Sequence, residues 1–92
     1  LINLKERTKQ LKYLEKKALK NDETQIFIET PYRNNQLLAL LKKVLAPNTH
    51  LSVASCLDSE EEKIISLSIR DWKKKKINLD KKPTVFLIGN RY

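Results

Sequence analysis

The chain has 92 residues, 40% of them hydrophobic and 33% charged, and a formal net charge of +8, which suits one soluble globular domain with a modest core. No apolar run approaches the roughly 20 residues that a membrane-spanning helix needs, and no stretch has the pattern of a secretory signal. The single cysteine, Cys56, excludes an internal disulfide.

Leu4 to Lys20 reads as a helix. Leu4, Leu11, Leu14 and Ala18 recur on one face, while Lys and Glu fill the remainder. Asn3 is its expected N-cap. The apolar stripe is thin, so this helix should lie over the outside of the domain. Asn21-Asp22-Glu23 breaks the pattern. Gln25-Ile26-Phe27-Ile28-Glu29 is a short β-rich run, read as a buried central strand. Thr30-Pro31 ends it, because proline cannot donate to a ladder. Asn34 or Asn35 should cap the next helix, which carries Leu37, Leu38, Leu41, Val44 and Leu45 on one face and runs to about Ala46 before Pro47-Asn48.

Leu51 to Cys56 is a second strand, followed by an acidic turn at 58–62. Cys56 is expected to be a small buried core residue in a reducing compartment. Ile65, Leu67 and Ile69 alternate with Ser66 and Ser68, the pattern of a half-buried third strand. Ser68 and Asp71 have the spacing of a capping box, with Asp in place of the usual Glu or Gln, and predict a short helix through Trp72 to about Lys75. A lysine-rich loop spans 73–83. Thr84 to Gly89 is almost continuously apolar and should be an inner strand covered on both faces. The class is α/β: an α+β-like mixed sheet of about four to five strands with flanking helices, in two or three layers. The short link at 58–62 makes the second and third strands antiparallel neighbours.

Methionine is absent. A translated reading frame starts with one, so Leu1 reads as an internal position of a longer protein. The charge is unevenly placed. Residues 1–20 and 70–82 each carry seven Lys/Arg against two acids, while 21–69 carry four Lys/Arg against seven acids. Two basic blocks flanking an acidic middle can follow a phosphate backbone, or can be solvated faces.

Chemistry-bearing motifs are sparse. Gly89 is the only glycine, so no glycine-rich loop can cradle a nucleotide or phosphate. No His/Cys cluster has metal-ligand spacing, and no metal is expected. His50 is the only histidine, and no nucleophile–base arrangement is suggested. Glu29-Thr30-Pro31-Tyr32-Arg33 stands out. A carboxylate, two hydroxyls and a guanidinium fall together where a strand ends and a helix begins, the edge at which open α/β sheets bind ligands. Arg33 either clamps a phosphate or pairs with Glu29 in an ordinary turn.

Gln25 to Arg33, QIFIETPYR, resembles the motif fifyESPhR in the C-terminal domain of the tetrapyrrole-methylase family, within it the bacterial 16S ribosomal RNA (cytidine-2′-O)-methyltransferases. Arg7 to Glu15 is similar to that branch's preceding helix, Leu51 to Leu57 to its next strand, Glu62 to Ile69 to its E-x-x…G/K-T-φ segment, and Lys82 to Gly89 to its closing strand. The resemblance spans about residues 5–90. Thr30 stands for the usual Ser, Tyr32 for His, Asp58 for Thr, and Lys82-Pro83 for Lys-Gly.

The resemblance implies a C-terminal domain of an S-adenosylmethionine-dependent methyltransferase, with the cofactor in a cleft between two domains and held mostly by an N-terminal domain outside this chain. It implies a cytoplasmic homodimer acting on a ribose 2′-O of ribosomal RNA in the 30S subunit, and a 92-residue piece inactive by itself. Glu29, Thr30, Pro31, Tyr32 and Arg33 would line the cleft. Lys5, Arg7, Lys9 and Lys12 on the first helix, with Lys73, Lys74, Lys75 and Lys76, would touch the RNA backbone. Methyl transfer from an activated sulfonium is mainly in-line positioning, so no residue is assigned as catalytic. Two other readings stand beside this one: methylation of a tetrapyrrole or other small molecule by the same fold, and a non-catalytic basic RNA-binding module. Trp72 is expected to anchor a small helix in the core rather than stack on a base.

Overall fold

A computed structural model describes residues 4–21, 23–29 and 31–89. Its first element follows from the thin apolar stripe. Helix α1 (Leu4–Asn21) buries Leu11, Glu15 and Ala18 along one face and leaves its lysines in solvent. It packs on α2 and β4. The expected cap Asn3, the break at Asp22 and the strand end at Thr30 lie outside the described residues.

Strands β1 (Gln25–Ile28), β2 (His50–Ser55), β3 (Lys63–Ser68) and β4 (Thr84–Gly89) form one sheet in the order β1-β4-β2-β3. Helix α2 (Asn34–Val44) joins β1 to β2, and the short α3 (Ile69–Trp72) with a long loop joins β3 to β4. The α/β class, four strands and flanking helices stand as the sequence implied. Strand direction differs from the mixed sheet expected. β1 and β2 point the same way, as do β3 and β4, but each pair is split by a strand of the other. Every hydrogen-bonded pairing is therefore antiparallel. Period and composition yield the order of helices and strands but not the insertion of β4 between β1 and β2.

The helices cover one face of the sheet, giving two layers. Phe27, Phe86, Val53 and Ile65 share one cross-strand row on that face, and Ile88, Leu51 and Leu67 share the next. They pack with Leu37, Leu38, Leu41 and Val44 of α2, Ile69 and Trp72 of α3, and Leu79. Phe27 and Phe86 stack at 5.9 Å between centroids and 13° between planes. Trp72 is fully buried, as expected, and its indole N–H donates to the Leu51 carbonyl at 2.8 Å. Burying such a large ring stabilises by roughly 2–3 kcal/mol. Ser68 caps α3 as its half of the expected box, its hydroxyl accepting from the Asp71 N–H at 3.3 Å. Ile69 is the first residue of α3 rather than the end of β3.

Three expectations are corrected. β1 is an edge strand, not a central one, and its Ile26 and Ile28 are 64% and 72% exposed. β4 is an inner strand, but only its helix-facing side is covered; Val85 and Leu87 on the other side are half-buried. Cys56 is half-buried at the turn after β2, with φ 53°, and its N–H donates to the Pro83 carbonyl at 2.9 Å. The chain must reverse there, so Cys56 takes a turn conformation in place of a core position.

Candidate functional site

Because β1 and β2 run in one direction, their carboxyl ends meet at one edge of the sheet, and β4 begins there. The register sets Ile28 and Ala54 on either side of Val85, all on the face the helices leave open. Below them the chain continues into Glu29 and Pro31 from β1, Leu57 from the turn after β2, and Pro83-Thr84 leading into β4. Together these residues line a groove of about 280 Å³. Its walls are apolar apart from Glu29 and Thr84.

Glu29 is held at the groove by Arg7. The guanidinium Nη2 lies 2.5 Å from the carboxylate Oε2, with the two side chains 30% and 13% exposed. This joins two sets that the sequence kept apart. Arg7 belongs to the groove through Glu29, and it takes the carboxylate that Arg33 was a candidate to pair with. An ion pair at this exposure contributes on the order of 1 kcal/mol; its larger effect is to aim Glu29 and balance its charge.

Pro31–Arg33 forms a single 3-10 turn into α2. Pro31 lines the groove, and its carbonyl accepts from the Lys81 N–H at 3.3 Å. Tyr32 is 75% exposed and Arg33 is exposed; neither is among the lining residues. Of the predicted segment, the structure thus brings Glu29 and Pro31 into the groove and leaves Tyr32 and Arg33 at the surface beside it. Thr30 lies outside the described residues.

The residue at the start of α2 has another role than capping. The N-cap position belongs to Arg33, with no side-chain cap bond. Asn34 is completely buried, and its Nδ2 donates to the Lys82 carbonyl at 2.6 Å, to Thr84 Oγ1 at 3.1 Å and to the Leu79 carbonyl at 3.3 Å. Asn35 adds two more bonds, to Asn78 Oδ1 at 2.9 Å and from the Leu79 N–H at 2.8 Å. The two asparagines latch the 78–84 loop, and with it the Pro83-Thr84 wall, onto the helix that follows the motif. Lys81 turns within that loop at φ 60°. One signal could have found Asn34: it precedes Leu37, Leu38 and Leu41 by three, four and seven residues, so helical spacing puts it on the buried face.

Glu15 was also missed. It is buried, and its Oε2 accepts from the Ala46 N–H at 2.7 Å and from Thr49 Oγ1 at 2.6 Å. It thereby fixes the chain between α2 and β2. Lys5, Lys9 and Lys12 are exposed on α1, and Lys73, Lys74, Lys75 and Lys76 are exposed after α3. Among the described residues no three His, Cys, Asp or Glu side chains gather as a metal site, and no helix is long and apolar enough to cross a membrane.

The groove's donor set bears on the S-adenosylmethionine that the resemblance implies. Aliphatic and proline walls with a single, already paired carboxylate suit the flat adenine ring of that cofactor. Gly89, the one glycine, sits at the opposite edge of the sheet, paired with His50. These residues fit one end of the cofactor and offer no glycine loop for the rest.

No family model and no curated protein matches the chain. Among solved structures it is similar to the crystal structure of the methyltransferase CobJ, with a TM-score of 0.54 and 23% sequence identity over 97% of this chain and 38% of that one. At this identity the likeness is one of fold. The chain spans less than half the length of that methyltransferase.

Proposed function

We propose that this chain is the cleft-closing C-terminal domain of an S-adenosylmethionine-dependent methyltransferase that modifies a ribose 2′-O of ribosomal RNA. The observation that carries the reading is the groove at the carboxyl edge of β1 and β2, walled by Glu29 and Pro31 of the segment resembling ESPhR. The fold likeness to part of a methyltransferase supports it. Ile28, Pro31, Ala54 and Val85 would hold the adenine end of the cofactor, which when bound supplies an electrophilic methyl group. Arg7 pairs with Glu29 and fixes it at the rim. Arg33, exposed at the start of α2, would contact a substrate phosphate and orient it by charge-assisted hydrogen bonds. A second domain supplies the remaining cofactor contacts, and the assembled enzyme is a cytoplasmic homodimer.

The test is radiolabelled methyl transfer to 30S subunits by the full-length protein, with and without Arg33→Ala. Losing one charged contact of about 1.5–3 kcal/mol predicts a fall in turnover of about 10- to 100-fold with thermal stability unchanged. Unchanged turnover overturns the RNA assignment. Transfer to a corrinoid precursor and not to 30S subunits would make the substrate a tetrapyrrole. RNA affinity without any methyl transfer would leave a binding module.

A further inference from the structure

A basic cluster lies away from the groove, where α2 meets the segment after α3. Lys42, in the last turn of α2, donates from Nζ to the Lys75 carbonyl at 2.8 Å. The same ammonium lies 5.9 Å from the centroid of the buried Trp72 ring. Neither contact neutralises its charge. The backbone that carries its neighbours is also fixed: the N–H groups of Lys73, Lys74 and Lys75 donate to the carbonyls of Ile69, Asp71 and Trp72 at 3.0, 3.1 and 3.0 Å. Partial burial, and then the positive charge of Lys76, lower the pKa of Lys42. The Lys75 carbonyl that Lys42 holds belongs to the peptide bond leading into Lys76, so the backbone of Lys76 begins beside the Lys42 ammonium. Asp71 and Asp80, the acids closest in sequence to the cluster, form no ion pair with it among the described residues.

We infer that Lys42 and Lys76, with exposed Lys73 to Lys75 beside them, form a pre-arranged clamp for the phosphate backbone of RNA. The inference deepens the RNA reading above and rests on it. A lysine normally surrenders the freedom of a four-carbon stem when it binds an anion. Lys42 has already surrendered it to the fold, so the site gains charge complementarity at a reduced entropic cost. Repulsion between Lys42 and Lys76 is relieved when a phosphate sits between them. The chemistry favours nucleic acid over an acidic protein. Protein interfaces are centred on exposed aromatic or aliphatic anchors, whereas the one aromatic here, Trp72, is sealed beneath Lys42 with no exposed surface. What remains outward is positive charge on a rigid turn, which suits a repeating phosphate chain.

The test measures binding of a fluorescently labelled single-stranded oligouridine to the 92-residue chain across a potassium chloride series. Log affinity should fall linearly with log salt. Each lost phosphate contact removes about 0.7 from the slope, or about a fivefold affinity loss at roughly 0.1 M salt. Lys42→Gln should remove one such increment and Lys42→Gln with Lys76→Gln two, while Lys42→Arg restores the slope. Lys76→Gln alone alters only an exposed side chain, so it reports on the clamp even where changing Lys42 disturbs packing. An unchanged slope in the double variant, no salt-dependent affinity in the parent chain, or equal competition by polyglutamate each overturns the inference. Methyl transfer to 30S subunits by the full-length protein is read separately. Transfer that persists with an unchanged slope removes the clamp alone, and a reduced slope without transfer removes the methyltransferase reading alone.

Discussion

Replacing Asn34 probes the joint between the motif and the opposite wall of the groove. Its amide donates to three acceptors, and each of them has a second partner. The Lys82 carbonyl also accepts from Thr84 Oγ1 at 2.9 Å, the Leu79 carbonyl from the Lys82 N–H at 3.1 Å, and Thr84 Oγ1 is itself that donor. Asn34→Ala therefore orphans none of the three acceptors. It removes two good hydrogen bonds and one long one, about 2–3 kcal/mol net at about 1 kcal/mol each, and leaves a small cavity worth about 1 kcal/mol. Against this, the Asn34 Oδ1 is buried without a partner, so deleting it returns about 1 kcal/mol. The expected cost is about 2–3 kcal/mol, from a total of about 5–15 kcal/mol for a domain of this size, and a melting temperature lower by roughly 10–20 °C. Asn34→Asp should cost more, because it sets an acceptor against acceptors. Trp72 is the only tryptophan and is fully buried, so its fluorescence through a urea titration reads both variants. Hydrogen exchange should speed up at 79–84 in Asn34→Ala. If the alanine variant stays within about 0.5 kcal/mol of the parent, or the aspartate variant is the more stable of the two, the latch is refuted.

Glu15→Ala should cost about 2–3 kcal/mol by leaving the Ala46 N–H and Thr49 hydroxyl without their acceptor, whereas Glu15→Gln keeps one amide oxygen and should cost about 1 kcal/mol; urea midpoints of the two variants give the comparison. Ile28→Lys, on the open sheet face at the groove, should change the stability of this chain by no more than about 0.5 kcal/mol. A loss above about 2 kcal/mol in the same titration would mean that this face is covered.

Helical periodicity was legible wherever a stripe was long enough. Leu37, Leu38, Leu41 and Val44 define α2, and Leu11 and Ala18 place α1 on the outside. The capping spacing from Ser68 to Asp71 foretold the start of α3. The motif at 29–33 was visible because a charged and hydroxyl-bearing run follows a β-rich one, and two of its residues do line the groove. Strand position was not legible. Ile26-Phe27-Ile28 is as apolar as an inner strand, yet lies at the edge with two isoleucines in solvent, because an apolar run reports attraction to a covered surface and not which neighbour supplies it.

Local propensity and period, acting over a few residues, determined the helices, the strands, the reversal between β2 and β3, and the location of the motif. Only the tertiary structure decided the partners. It inserted β4 between β1 and β2, drew Arg7 onto Glu29 across 22 residues, turned Asn34 from a cap into a latch reaching 45 to 50 residues away, and set Lys42 over Trp72. Each of these depends on which surfaces meet when the crossovers interleave, and that is settled by closing the core as a whole rather than by any short segment of the chain.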